Sequence, residues 1–342
     1  MRKRWTLLYV LLTGTLPVLS QDLHFSQFFE APLLRNPSLA GIYKGDVRIQ
    51  GVYRDQWNNV TNAYRTGSLN AEYKQPIGKG DDFITTGIQV LFDKAGTVGL
   101  TTTNLLPALN YHKSLSNERT MYLSLGFMGG LIRKHIDVTK MTTNNQYGGG
   151  GFDPTLPTGE NLVSPNFTTW DASLGLSFNS SFGTEDANSL FLGAAYHHLN
   201  RPKNSFYRNP DIELKPKYVF SGGVKFKMDD FSYFTLQADQ SVQGSFNETV
   251  AGVLYSYKLG AYVEEDPLYT IHGGLFMRWK DALIPVVKVD RHPISVALSY
   301  DINISPLKTA SQGRGGFELS VSYIGFLDRY NSTRDKVLCP HF

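Results

Sequence analysis

Three places in the chain carry residues whose types and spacing could do chemistry. His197 and His198 are adjacent, Asp301-Ile302-Asn303-Ile304-Ser305 opens like a calcium-binding loop, and Gly148 to Gly151 form an unbroken glycine run. Consecutive side chains on a strand leave opposite faces, so the two imidazoles are expected to diverge and not to chelate one ion. Pro306 stands where a calcium loop needs glycine for its sharp turn. The glycine run lacks the Lys-Ser/Thr that a phosphate-binding loop requires, and reads as part of a flexible outer loop. A hydrolase would need Ser or Asp beside an oriented His, and no nucleophile elbow or similar local signature marks such a pair. No catalytic residue, metal or cofactor is expected, and the chain is read as not an enzyme.

The elements that hold these residues are strands. Trp170, Ala172, Leu174, Leu176 and Phe178 alternate with Thr169, Asp171, Ser173, Ser177 and Asn179, and Ile294 to Asn303 repeats the pattern. Around a closed sheet, this alternation gives an apolar outside and a polar inside, as in outer-membrane barrels. Arg2, Lys3 and Arg4, the apolar run from Trp5 to Leu19 and the small Ser20 together read as a signal peptide over 1–20. The mature chain is expected to begin at Gln21. No later apolar run approaches the roughly 20 residues of a membrane helix. The formal net charge of +3 gives no sign of nucleic-acid binding, and the single cysteine allows no internal disulfide.

Period-two reading places strands near 46–54, 64–74, 82–92, 100–112, 119–132, 167–179 and 188–198. It places others near 216–227, 231–241, 249–259, 268–280, 283–290, 293–303 and 315–326. The fold class is therefore all-β, a transmembrane antiparallel β-barrel of about 14 strands over 46–326. If the N-terminus is periplasmic, the long connections 55–63, 133–166, 199–215 and 304–314 all fall on the outer side. The tight turns Ser114–Glu118, Met228–Asp230 and Asp290–His292 fall on the periplasmic side, which is the asymmetry such barrels show. A secreted sandwich would alternate too, but no sheet edge or second layer is signalled. Aromatic residues such as Tyr218, Tyr269 and Trp279 recur near strand ends, as in interfacial girdles.

Several segments along the mature chain carry the motif set of one known family. The start Gln21-Asp22-Leu23-His24-Phe25-Ser26-Gln27-Phe28 is similar to the family opening. Asn36-Pro37-Ser38-Leu39-Ala40-Gly41 is similar to its Asn-Pro-Ala-x-Ala-Gly element, apart from Ser38. Arg54-Asp55-Gln56-Trp57, Phe92 to Gly96, Tyr300 to Ser305, Gly315 to Ser320 and the ending Cys339-Pro340-His341-Phe342 extend the likeness along the mature chain. Together these segments resemble the PorP/SprF family of the type IX secretion system of Bacteroidota, and the resemblance implies an outer-membrane component that supports secretion or surface attachment of cargo, including adhesins and gliding motility. Its implied partners are type IX translocon components, secreted proteins with a type B C-terminal sorting domain, and a periplasmic peptidoglycan-binding protein. Outer-membrane lipid would surround the barrel. The alternative is a general diffusion porin for small solutes.

Partner contact is expected where the rhythm stops. Residues 21–45 are dense in Phe and Leu without strand or helix period, so they should pack against the periplasmic mouth or plug the lumen. Residues 327–342 form a polar periplasmic tail, either frayed or docking through Cys339 and Phe342. The lumen-facing set Arg48, Gln50, Arg54, Gln89, Asp171, Lys225, Lys227, Asp239, Arg278, Asp301, Asn303 and Glu318 mixes both signs. It is either a wet lining or a socket. The candidate partner-binding residues are Phe25, Phe28, Arg54, Gln56, Trp57, Asp301, Asn303, Glu318, Cys339 and Phe342.

Overall fold

The computed structural model describes residues 22–56, 64–78, 80–148, 150–260, 267–306, 308 and 313–328. The signal-peptide reading, Gln21, Trp57, Cys339 and Phe342 lie outside these residues. The strands in chain order begin with β1 Val47–Gln56, β2 Tyr64–Pro76, β3 Phe83–Ala95, β4 Leu100–Ser114 and β5 Met121–His135. A two-residue pair, β6 Tyr147–Gly148 and β7 Gly151–Phe152, lies in the next connection. Then come β8 Asn166–Phe182, β9 Asn188–His197, β10 Lys217–Lys227, β11 Ser232–Gln243 and β12 Phe246–Leu259. The last are β13 Tyr269–Arg278, β14 Ala282–Arg291, β15 Ile294–Asn303 and β16 Arg314–Gly325.

All except β6 and β7 form one closed antiparallel barrel, so 14 strands make the wall. Each pairs with its sequence neighbour, β5 with β8 across the small hairpin, and β1 closes the ring on β16 from Val47↔Gly325 to Gln56↔Gly316. Closure leaves no strand edge unpaired, which is the condition for crossing a bilayer with strands. The expected strands are all present, several extended by a few residues at their ends. The least regular, 283–290, is β14. Pro285 there and Pro107 in β4 lack an N–H to donate, and the β14–β15 and β4–β5 ladders each skip these positions.

Alternation decides the two faces. Leu109, Leu125, Phe127, Leu176, Phe220 and Leu298 stand on the outside and are exposed, while Asn110, Ser124, Ser177, Gln237 and Ser299 are buried inside. A continuous apolar exterior of this extent has no place in water and matches a bilayer's hydrocarbon. One mouth, here the loop mouth, carries the long connections after β5, β9 and β15, of which residues 136–148, 150–165, 198–216, 304–306, 308 and 313 are described. The opposite, terminal mouth carries short turns, including 228–231 and 292–293, and is where the chain enters β1 and leaves β16. The two largest loops are tied together, with Phe167 edge-on to Phe206 and the Ser164 N–H donating to the Phe206 carbonyl.

Leu125 lies mid-strand on the lipid face. Leu125→Arg is expected to cost about 2–4 kcal/mol of stability, as a charge near the bilayer midplane does. Equilibrium unfolding in lipid vesicles measures it, and an unchanged midpoint would place Leu125 away from lipid.

Candidate functional site in the lumen

The lumen is filled by the chain's own N-terminal segment. Asp22 lies at the loop mouth, where it meets His198 and Gln243, and Asp46 lies at the terminal mouth beside Gly325. Between them the segment runs the length of the barrel through short turns at Phe28–Glu30, Pro32–Arg35 and Pro37–Leu39. Pro32 and Pro37 each stand where a helical turn starts, a place that needs no N–H.

Apolar contacts seat one side of this plug. Phe28 packs with Val250, Leu254, Phe276, Ile284 and Val286, and Phe29 stacks on Phe276 with ring centroids 5.1 Å apart. Phe25 joins Ala31, Val52 and Leu91, while Leu33 joins Ala40, Leu106, Ala108 and Met128.

Charges fix the rest. Glu318 accepts hydrogen bonds from the backbone N–H groups of Ser26 at 2.6 Å and Gln27 at 2.7 Å. The Arg54 guanidinium lies 3.0 Å from both Glu318 and Asp301, and also donates to the His24 carbonyl. Arg278 bonds Asp301 at 3.1 Å and the Ser26 hydroxyl at 2.5 Å. Lower in the barrel, Arg35 forks onto Asp239, Lys288 meets Glu30 at 2.8 Å, and Arg48 pairs with Glu72 at 2.7 Å. Such groups are tolerated in a dry interior only because each charge has an opposite partner.

The Asn36-Pro37-Ser38 turn is the most closely fitted part. Asn36 Oδ1 accepts from the Ser38 N–H and hydroxyl at 2.9 and 2.7 Å, and its amide nitrogen donates to the carbonyls of Leu176 and Ala194. The Ser38 carbonyl in turn accepts from Asn110 and Ser177. Two wall positions must be glycine for this approach. A Cβ on Gly126 would overlap the Ser38 nitrogen, and one on Gly175 would overlap Asn36 Oδ1.

Of the sequence-derived candidates, the fold brings Phe25, Phe28, Arg54, Asp301 and Glu318 together around the plug. Gln56 sits beside this cluster at the loop mouth. Asn303 stands apart, donating to the Arg314 carbonyl across the β15–β16 hairpin. The reading of His197 and His198 is corrected. Both are buried inside, because His198 takes a left-handed backbone conformation with φ of 58° that breaks the alternation. His197 contacts Ser173 and the Arg35 carbonyl, and His198 bridges Asp171 and Asp22. Among the described residues no cluster of three His, Cys, Asp or Glu could hold a metal. Sequence reasoning did not single out Arg35, Glu30, Glu72 or Lys288. The signal available was Glu30 and Arg35 set among Phe and Leu, since charges there need partners elsewhere.

The chain matches the model of the family described as type IX secretion system membrane protein PorP/SprF over residues 18–323. It belongs to the PorP/SprF family. No curated protein matches it. Among solved structures, this PorP/SprF barrel is similar to the toluene transporter TbuX of Ralstonia pickettii, with 11% identity, 86% of this chain and 92% of that one covered, and a TM-score of 0.49. The monoaromatic hydrocarbon channel CymD is similar at 7% identity, with 88% and 94% covered and a TM-score of 0.49. A Pseudomonas aeruginosa FadL homologue is similar at 11% identity, with 86% and 94% covered and a TM-score of 0.45. Its family and its own closed 14-stranded wall make the PorP/SprF chain an outer-membrane β-barrel whose lumen holds its own N-terminal segment.

Arg54→Met leaves Glu318 and Asp301 short of a counter-charge in the interior. It is expected to cost about 3–5 kcal/mol, read as a lower unfolding midpoint, and a midpoint equal to the parent's would deny the cluster this role. Deletion of residues 22–40 should convert a barrel silent in planar-bilayer recordings into one with steady conductance. Equal conductance before and after deletion would show that the segment does not seal the lumen.

Proposed function

We propose that this barrel supports the secretion or surface attachment of cargo bearing a type B C-terminal sorting domain, including adhesins used in gliding motility. Type IX translocon components and a periplasmic peptidoglycan-binding protein would be its partners. One observation carries this reading: the lumen is occupied by aromatic, aliphatic and ion-paired side chains from Phe25 to Tyr43. A diffusion porin keeps an aqueous lumen, so a wall whose charges are committed to an internal segment favours a scaffold over a sieve. A catalytic role is not part of the proposal. His272 does lie between Ser256 at 2.7 Å and Asp290 at 2.9 Å, the contact order of a hydrolytic triad, but the Ser256 hydroxyl is fully buried.

In the proposed orientation the loop mouth faces outward and both termini are periplasmic, supported by the concentration of long connections at one mouth. The tied loops 136–165 and 198–216 would then present the outward contact surface, and the tail with Cys339 and Phe342 the periplasmic one.

Affinity purification of the tagged full-length protein from native membranes should recover translocon or sorting-domain proteins. Recovery of none of them, with the barrel intact, would count against the secretion role. Protease added to whole cells should cut within 136–165 and spare the tail; the reverse pattern would invert the orientation.

A further inference from the structure

The plug does not fill the lumen evenly. It presses on the β12–β14 wall through Phe28 and Phe29, and leaves a cavity of about 450 Å³ against β2 to β5 and the upper ends of β8 and β9. The cavity runs from Gln89, mid-way along β3, up to Gln56, Tyr64 and Leu100 at the loop mouth. Its volume falls within the range of about 300–1,000 Å³ typical of ligand sites.

Three features define what it would take. The deep end is apolar, formed by Leu34 of the plug and by Leu91, Leu106 and Met128 of the wall. Gln89 lines this end, fully buried, with neither its amide oxygen nor its amide nitrogen bonded among the described residues; Asn104 Oδ1 above it and Nδ2 of its cross-strand neighbour Asn70 are likewise unpaired. The upper rim carries both signs, Lys134 and Lys217 against Asp93 and Asp171.

We propose that this vestibule binds an extended segment of another polypeptide, entering from the loop mouth. A peptide unit offers one donor and one acceptor, which is what the unpaired Gln89 amide lacks. A hydrocarbon or acyl chain would satisfy the leucines and leave both amide atoms buried without partners, the arrangement that is costly in a dry site. A rim of mixed sign does not select an anionic headgroup, whereas it suits a polypeptide carrying charges of both signs. The inference deepens the secretion role proposed above, and rests on that reading only for the source of the polypeptide.

Reversible disulfide tethering tests it on the full-length protein. Thr102 lines the cavity, so Thr102→Cys, with Cys339→Ser removing the one native thiol, is offered two probes under mild reductant. They are the symmetric disulfides of acetyl-Leu-Gly-Leu-cysteamine and of hexanethiol, each of which exchanges with the introduced thiolate and releases one equivalent of its thiol. The expected result is at least a tenfold preference for the peptide, which falls to parity when Gln89→Leu is added. Heat-modifiable gel mobility confirms that each barrel is folded, and Asn104→Leu replaces Gln89→Leu if the latter does not assemble. Preference for the alkyl thiol overturns the proposal, as does a peptide preference indifferent to both variants or a thiol that neither probe reaches. Retained peptide preference alongside a purification free of secretion components would refute the secretion role and leave the binding site standing.

Discussion

The arrangement depends on one buried carboxylate. Glu318 of β16 lies directly across the closing seam from Arg54 of β1, their Cα positions in register, and the two side chains bond at 3.0 Å. The same carboxylate takes the N–H groups of Ser26 and Gln27, and the Gln27 amide donates to the Glu318 carbonyl and the Ser299 hydroxyl. The same carboxylate therefore ties the closing seam to the plug. A carboxylate in such a site requires several donors to remain charged, and it finds one across the seam and two on the plug.

The Asn36-Pro37-Ser38 turn holds the other side. Asn36 and Ser38 bond carbonyls and side chains on β4, β8 and β9, while Gly126 and Gly175 remove the side chains that would otherwise stand in the way. The wall thus reads the plug's backbone at one point and its charges at another. Between the two, the cation of Arg35 lies over the Phe28 and Phe191 rings while forking onto Asp239. Packed this way, the segment behaves as an internal core for a shell that would otherwise enclose water.

The plug's asymmetry has a chemical consequence. Phe28 and Phe29 are committed to β12–β14, so the β2–β5 side keeps an open apolar floor beneath Gln89 and Asn104, whose amides lack internal partners. Interiors are ordinarily close-packed and hydrogen-bonded. Other buried amides, such as Asn179, also lack partners, but beside Gln89 the unpaired groups border open space, and that is where an external molecule gains most.

Much of this was legible in the chain itself. Strand alternation is a local property, because residues i and i+2 share a face whatever surrounds them, so barrel, strand number and loop asymmetry could be read directly. The same rule misled at His197 and His198, where one left-handed residue turns both rings inward, and no local pattern announces that. The lumen set was also legible as residue types: Arg54, Asp301 and Glu318 read as lumen-facing, in either a wet lining or a socket. Their partners were not, since Glu318 meets Ser26 and Gln27 across nearly the whole chain. The pairing of Arg35 with Asp239, the glycines facing Asn36 and Ser38, and the cavity beside Gln89 likewise exist only once the ring closes. Sequence determined which side chains face inward, because that depends on the pleat; tertiary structure alone decided what each of them meets there, because that depends on the register and closure of the ring and on the path of the segment threaded through it.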